Sequence, residues 1–259
     1  MCRLAAYIGP SISLQSFLVA PEHGLIKQSW APRDMKEAVL NADGFGLGWY
    51  TEHAGPAIYL NESPIWSDIN LKGLSVSLTS PVWLGYVRSA TDGQMTGLIN
   101  TQPFVADKLM YIHNGNIKNF KPQHKISIHQ YLLPEIQADI HGNTDSEFLF
   151  AILRQQILQN PQRTLGENVK DMMHAIAEII GTGSALLNII ISDGKSILAT
   201  RHAINGECPT LYYTTGSGLY PAGCVMASEK LSDEDNWETV PENTLLWMDG
   251  VSAHGMETL

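Results

Sequence analysis

Cysteine stands second in the chain, directly after the initiator methionine. A small second residue permits removal of Met1, which would give Cys2 a free α-amine beside its own thiol. That joins a nucleophile and a base in one residue. A free thiol titrates near about 8.5 and an α-amine near about 7.7–8.0, so a neutral amine is on hand at neutral pH to take the thiol proton and return it to a leaving amine. The plainer reading is a cysteine packed at the start of a strand. Three further groups have types suited to the same chemistry. Gly85-Tyr86-Val87-Arg88-Ser89-Ala90-Thr91 is an apolar strand ending in an arginine, whose fork can hold a carboxylate or simply join a surface ion pair. In His113-Asn114-Gly115-Asn116 a side-chain amide next to a glycine with an unshielded N–H offers two donors to one oxygen, as an oxyanion hole requires; an ordinary Asn-Gly turn has the same residues. Asp145 could bind a substrate ammonium or only favour the start of a helix.

These residues need elements to hold them. Strand character is read at Cys2–Ile8, Phe45–Tyr50, Ala57–Leu60, Val82–Ser89, Leu109–His113, Ala185–Ser192, Ser196–Arg201, Leu211–Thr214, Cys224–Ser228 and Thr244–Met248. Ser192-Asp193-Gly194 is a turn signal that predicts a hairpin. Thr144-Asp145-Ser146-Glu147 fits a capping box opening a helix through Phe148, Leu149, Ile152 and Ile157, and a second helix is expected over Glu167–Ile180, stopped by Gly181. Continuous apolar strands with a few long helices imply sheets covered by helices, an α+β layered fold. No repeat, low-complexity tract or linker appears, so residues 1–259 read as one domain.

The order of the four groups is more specific than any one of them. An N-terminal Cys, then Arg-x-Ala-Thr, then His-Asn-Gly, then Asn-Thr-Asp-x-Glu resembles the class II glutamine amidotransferases over most of the chain. The resemblance implies an N-terminal-nucleophile hydrolase with a four-layer αββα sandwich. It makes Cys2 the nucleophile and its amine the base. It assigns Arg88 to the α-carboxylate of a γ-glutamyl substrate, with Thr91 beside it, Asn114 and Gly115 to the oxyanion hole, and Asp145 to the substrate α-ammonium. Further segments, Pro21-Glu22-His23-Gly24-Leu25, Gln28–Arg33, Asn41–Tyr50 and Trp66–Leu71, resemble the ergothioneine-pathway branch of that family. That branch implies hydrolysis of a γ-glutamyl amide, γ-glutamyl-hercynylcysteine S-oxide, with release of glutamate. Leu4 departs from the histidine usual there. The rival expectations are a glutathione or γ-glutamyl-peptide hydrolase, a glutaminase subunit feeding a separate synthase, and a non-catalytic binding module on the same scaffold. Standalone hydrolysis is favoured because the strands after residue 150 read as completing the same domain and leave no room for a synthase domain. Trp30, Trp49, Trp66 and Trp83 are candidates for an aromatic wall that holds a trimethylammonium group, against the commoner role of aromatics in a core.

Composition narrows the alternatives. With 16 Lys+Arg against 26 Asp+Glu the formal charge is −10, and no basic cluster occurs, which argues against nucleic acid or an anionic membrane as partner. Three dispersed cysteines make no disulfide framework, and Gly9-Pro10 interrupts the apolar start that a secretory signal would need, so a cytoplasmic protein is expected. No apolar run reaches the roughly 20 residues of a membrane span. The nine histidines show no metal-ligand spacing, and His113, His124, His129 and His141 are read as surface or structural residues. No metal or cofactor is expected. The expected partner is a small-molecule γ-glutamyl substrate, with a homo-oligomer or a synthase subunit left open.

Overall fold

A computed structural model describes residues 2–35, 40–51, 55–89, 97–233, 236–250 and 254–259. In chain order its strands are β1 (Arg3–Ser13), β2 (Phe45–Tyr50), β3 (Pro56–Asn61), β4 (Thr79–Val87), β5 (Phe104–Ala106), β6 (Leu109–Ile117), β7 (Ala185–Ser192), β8 (Ile197–Arg201), β9 (Ala203–Ile204), β10 (Tyr212–Thr215), β11 (Cys224–Ala227), β12 (Glu238–Thr239), β13 (Thr244–Met248) and β14 (His254–Thr258). The helices are α1 (Leu25–Gln28), α2 (Leu71–Ser77), α3 (Lys125–Tyr131), α4 (Pro134–Ala138), α5 (Asp145–Gln159) and α6 (Leu165–Ile180). Two antiparallel sheets face each other: one in the order β12-β10-β11-β1-β4-β2-β3, the other in the order β14-β13-β8-β7-β6-β5 with β9 beside β7.

Three apolar cores separate four layers. Leu4, Ala6, Leu84, Tyr86, Ile112 and Ile190 fill the space between the sheets. Tyr111, Ile189, Ile191 and the buried sides of α5 and α6 form the core outside the second sheet. Ala5, Tyr7, Trp83, Phe17, Leu25 and Leu71 form the core outside the first. The result is the αββα sandwich. It explains why β6 and β7 read as continuous apolar runs although their neighbours are antiparallel: each is covered on both faces, so both sets of alternating side chains are buried. The cover is unequal. Long α5 and α6 lie over the second sheet, whereas α1, α2 and loops cover the first.

Most of the expected strands form within two residues of their expected ends, and β2, β7 and β13 coincide with them. The Ser192-Asp193-Gly194 turn joins β7 to β8, with Asp193 Oδ1 accepting the N–H of Lys195 at 2.9 Å and of Ser196 at 2.8 Å. The exceptions matter more. β6 runs four residues past His113, because β7 continues to pair with it as far as Ile117↔Ala185. Asn114 and Gly115 are therefore strand residues and not a turn after the strand. The capping box expected at Thr144 is half formed: Thr144 Oγ1 accepts the Glu147 N–H at 3.3 Å, but the Glu147 carboxylate accepts the N–H groups of His141 and Gly142 and not that of Thr144. The complete box is on α6, between Thr164 and Glu167, so that helix starts two residues earlier than expected.

One close approach fixes the geometry next to the site. A Cβ on Gly46 would stand 2.0 Å from the Gln102 carbonyl oxygen, so only glycine lets β2 lie against residues 101–103. Gly46→Ala is expected to cost about 2–4 kcal/mol, because the contact is backbone that has no room to yield. A urea unfolding midpoint unchanged from wild type would contradict this.

Candidate active site

The chain enters β1 at Arg3, opposite Val87 near the end of β4. Cys2 precedes it by one residue and packs against the inter-sheet core, on the same face as Leu4 and Ala6. Its thiol is half-buried and is held by three contacts. Tyr86 Oη donates to Sγ at 2.8 Å, the Ser89 N–H donates at 3.4 Å, and Sγ lies 3.4 Å from the Ser89 carbonyl. Tyr86 was missed as a functional residue in the sequence, although its signal was there: it alternates with Val82 and Leu84 on the inner face of β4 and stands two residues before Arg88. Burial first, then the neighbouring charge of Cys2 and the hydrogen bond to it, raise the Tyr86 hydroxyl well above its ordinary pKa, while Arg88 acts in the opposite sense and Asp145 in the same sense. Tyr86 is thus a proton donor throughout the working range, and its hydroxyl lies within the field of Cys2, Arg88 and Asp145 together. Those are three of the residues singled out from the sequence, two beside strands of the first sheet and one at the start of α5.

Arg88 extends β4 by one position, with its N–H on Gly44 O at 2.9 Å, and it is buried. Alternation from Tyr86 puts it on the inner face. Thr91 lies outside the described residues, as do residues 93–96 of the segment from Gly93 to Asn100.

Across the interface β6 supplies the next group. Asn114 follows Met110 and Ile112 on the inter-sheet face and is fully buried. Neither its Oδ1 nor its Nδ2 meets a hydrogen-bond partner among the described residues. An unsatisfied buried amide is expensive, about 1–3 kcal/mol, so a fold that keeps one holds a ready acceptor and donor for something else. The Gly115 N–H is not used in the ladder to β7. Leu187, opposite Gly115, gives its own N–H to His202 O on the far side of β7, so Gly115–Leu187 is a pair without ladder bonds and the Gly115 N–H turns to the β5 side. On that side β5 has ended. The His113 N–H donates to Gln102 Oε1 at 2.5 Å and the Ile117 N–H to Asp145 Oδ2 at 2.7 Å, with Gly115 between them. Glycine is required here as well, since a Cβ would fall 1.9 Å from Leu186 O.

Asp145 is the first residue of α5 and is buried; its second oxygen accepts the Ser146 N–H at 2.9 Å. His113 anchors this helix start. Its Nε2 lies 2.8 Å from Leu186 O and its Nδ1 2.9 Å from Ser146 Oγ, and burial lowers its pKa, which fits a neutral ring with the proton on Nε2. The histidine has the structural role read from the sequence. His124 is half-buried, and His129 and His141 are exposed.

On the other face of β1 lies a buried ionic knot. Arg3 Nη1 is 3.4 Å from Glu229 Oε1, His23 Nε2 is 2.9 Å from Glu229 Oε2, and the same carboxylate accepts the N–H groups of Arg33 at 2.8 Å and Asp34 at 3.0 Å. It ties the strand that carries Cys2 to residues 23–34. Burial by itself would raise Glu229, but the bond from His23, the two N–H groups and the charge of Arg3 outweigh it and hold the carboxyl below its ordinary value. Glu229→Ala is expected to cost about 3–5 kcal/mol, the effect of leaving Arg3 buried without its counter-charge. A shift in melting temperature of only a degree or two would contradict that.

The aromatic wall is corrected by the structure. Trp83 is buried and Trp49 packs on it with ring centroids 5.9 Å apart, both in the core outside the first sheet and so on the face away from Cys2. The alternation of β2 and β4 dictates this. Trp30 and Trp66 are exposed, and Trp30 carries Lys27 Nζ 3.7 Å above its ring.

Residues 25–216 match the family model described as glutamine amidotransferases class-II. The chain belongs to the class-II glutamine amidotransferases. It is 28% identical to the gamma-glutamyl-hercynylcysteine sulfoxide hydrolase of Mycolicibacterium smegmatis over 95% of both chains. It is equally 28% identical to the probable glutamine amidotransferase DUG3 of Saccharomyces cerevisiae, over 95% of this chain and 81% of the yeast protein. The fold matches that of a glutamine aminotransferase class-II domain protein from Silicibacter pomeroyi with a TM-score of 0.68 at 23% identity, covering 100% of this chain and 99% of that one. As a member of this class-II family the protein is an amidohydrolase. Among its described residues no helix is long and apolar enough to cross a membrane.

Proposed function

We propose that the protein hydrolyses a γ-glutamyl amide through a thioester on Cys2 and releases glutamate. The observation that carries this reading is the pairing of a thiol, fixed at the open end of the inter-sheet core by Tyr86 Oη at 2.8 Å, with a buried Asn114 amide that has no partner among the described residues. Once Met1 is removed, the Cys2 α-amine takes the thiol proton and sulfur attacks the γ-carbonyl carbon. The carbonyl oxygen becomes an oxyanion between Asn114 Nδ2 and the Gly115 N–H. Collapse of this intermediate breaks the C–N bond, and the departing amine takes the proton from the Cys2 α-ammonium. Water, deprotonated by the same amine, then cleaves the thioester. Arg88 holds the substrate α-carboxylate and Asp145 the α-ammonium.

For the leaving group we favour hercynylcysteine S-oxide. The support is the name of the mycobacterial relatives, which match nearly end to end at 28–29% identity. The yeast relative's name keeps a glutaminase open as the second reading. Glutamate release from γ-glutamyl-hercynylcysteine S-oxide, glutathione and glutamine, each offered separately to the Met1-processed protein, decides between them. Selective cleavage of the sulfoxide is expected; preference for glutamine would overturn the substrate while keeping the chemistry.

Tyr86 has a defined part. Its hydroxyl supplies one hydrogen bond to sulfur as charge develops there, so Tyr86→Phe is expected to slow both turnover and alkylation of Cys2 by iodoacetamide at neutral pH about tenfold, the effect of one hydrogen bond to a charged atom. Unchanged alkylation would show that Tyr86 only fills space.

A further inference from the structure

Asn188 lies on β7 directly across from Asn114, in a strand otherwise composed of Ala, Leu, Ile and a terminal Ser. It is fully buried. Its Nδ2 donates to Pro209 O at 3.2 Å and to Thr210 O at 2.9 Å, which spends both N–H groups and fixes which end of the amide is oxygen. That oxygen, Oδ1, has no partner among the described residues. Two buried carboxamides therefore occupy facing positions on one face of the sheet, one with a free acceptor and the other with free donors. Directly opposed strand residues have Cβ atoms about 4.5–5.5 Å apart, within reach of two amides that turn toward each other. Resting on the reading of Asn114 as an oxyanion donor, we propose that Asn188 is its positioning residue: Asn188 Oδ1 takes one N–H of Asn114 while the oxyanion takes the other.

The need for such a partner is electrostatic. An amide alone in a cavity can turn over about its last bond and present oxygen to the developing negative charge, which would repel it. An acceptor at a fixed place removes that orientation, because oxygen facing oxygen is unfavourable there too. Asn188 can serve because its own orientation is settled from behind. The segment that settles it also reaches the nucleophile strand: Thr210 Oγ1 donates to Ser228 O at 2.8 Å, and Ser228 exchanges backbone and hydroxyl bonds with Leu4, its Oγ accepting the Leu4 N–H at 3.0 Å. A continuous polar line thus runs from the partner of Asn114 to a point two residues from Cys2. It joins the two sheets where sulfur and oxyanion donor must keep their spacing. No apolar residue at 188 could do this.

The test is a double-mutant cycle on the Met1-processed protein with the γ-glutamyl substrate it cleaves best. Asn188→Leu keeps the volume, and Asn188→Ser keeps a small polar group at 188 that is too short to reach Asn114, so a folded protein is available even if the leucine variant is not. Either substitution is expected to lower kcat about tenfold with KM changed less than about twofold, and to have no further effect in an Asn114→Ala background, because residues that act as one unit are not additive. Alkylation of Cys2 by iodoacetamide, which needs no oxyanion hole, stays at the wild-type rate. An equal loss in both backgrounds, or slowed alkylation, would reduce Asn188 to a strut of the fold and overturn the proposal. So would an unchanged kcat in folded Asn188→Ser. Failure of Asn114→Ala itself to lower kcat would instead refute the oxyanion reading, so the two failures are distinguishable.

Discussion

Replacing Cys2 with alanine is expected to remove glutamate release almost entirely, a fall in kcat on the order of 10⁴-fold or more, while KM-independent binding of the substrate and the melting temperature stay close to wild type. The size follows from the proposed role: the variant would lack the atom that forms the covalent intermediate. The small effect on stability follows from the position of the side chain, which caps the end of the inter-sheet core and is only half-buried. Cys2→Ser separates nucleophilicity from mere presence: it keeps a hydroxyl in reach of Tyr86 and the Ser89 N–H but lacks a thiol, and should be nearly as inactive. Retained activity in either variant would mean that the chemistry is elsewhere, and that the thiol is a packing group at the start of β1.

The second large effect is expected at Asn114. Removal of one oxyanion donor from an acyl-transfer site raises the barrier by about 2.7–4 kcal/mol, so Asn114→Ala should lower kcat by about a hundredfold or more. Its effect on stability runs the other way from most core truncations. Both polar atoms of this buried amide are unsatisfied among the described residues, and alanine relieves their burial, which offsets the small cavity left behind. A variant that loses turnover yet unfolds at the same or a slightly higher denaturant concentration is the expected result. Lost stability in proportion to lost activity would point to a structural amide, and a wild-type rate would remove Asn114 from the mechanism.

The sequence made the layers legible for a physical reason. Strands covered on both faces are apolar almost throughout, as in Ala185–Ser192 with Asn188 as the internal exception, and long helices on a sheet announce themselves by caps and spacing, as α6 does. It also made the family legible, through the order of Cys2, Arg88, Asn114-Gly115 and Asp145. Positions set by tertiary pairing were not. The end of β6 depends on β7, which lies about seventy residues later, so spacing alone leaves Asn114 and Gly115 beyond the strand, as an oxyanion pair or an ordinary turn. The second half of the Thr144 box was lost to the N–H groups of His141 and Gly142, a competition between local donors that spacing does not reveal. Alternation alone would have put Trp49 and Trp83 behind the sheet and Tyr86 in front of it, had the inner face of β4 been fixed from Cys2. Asn188 is one polar residue in an otherwise apolar strand, and only its register against Asn114 gives it a meaning.

The most direct measurement is the mass of the protein during turnover. Met1-processed enzyme is mixed with its γ-glutamyl substrate, quenched in acid within the first turnovers and digested, and the N-terminal peptide is weighed. A γ-glutamyl group on Cys2, labile to hydroxylamine, absent in Cys2→Ala and enriched when the second step is slowed, is the result expected. An N-terminal peptide that stays unmodified while glutamate is released at full rate would contradict the thioester, and with it the central claim that this cysteine and the Asn114–Gly115 pair carry out the reaction.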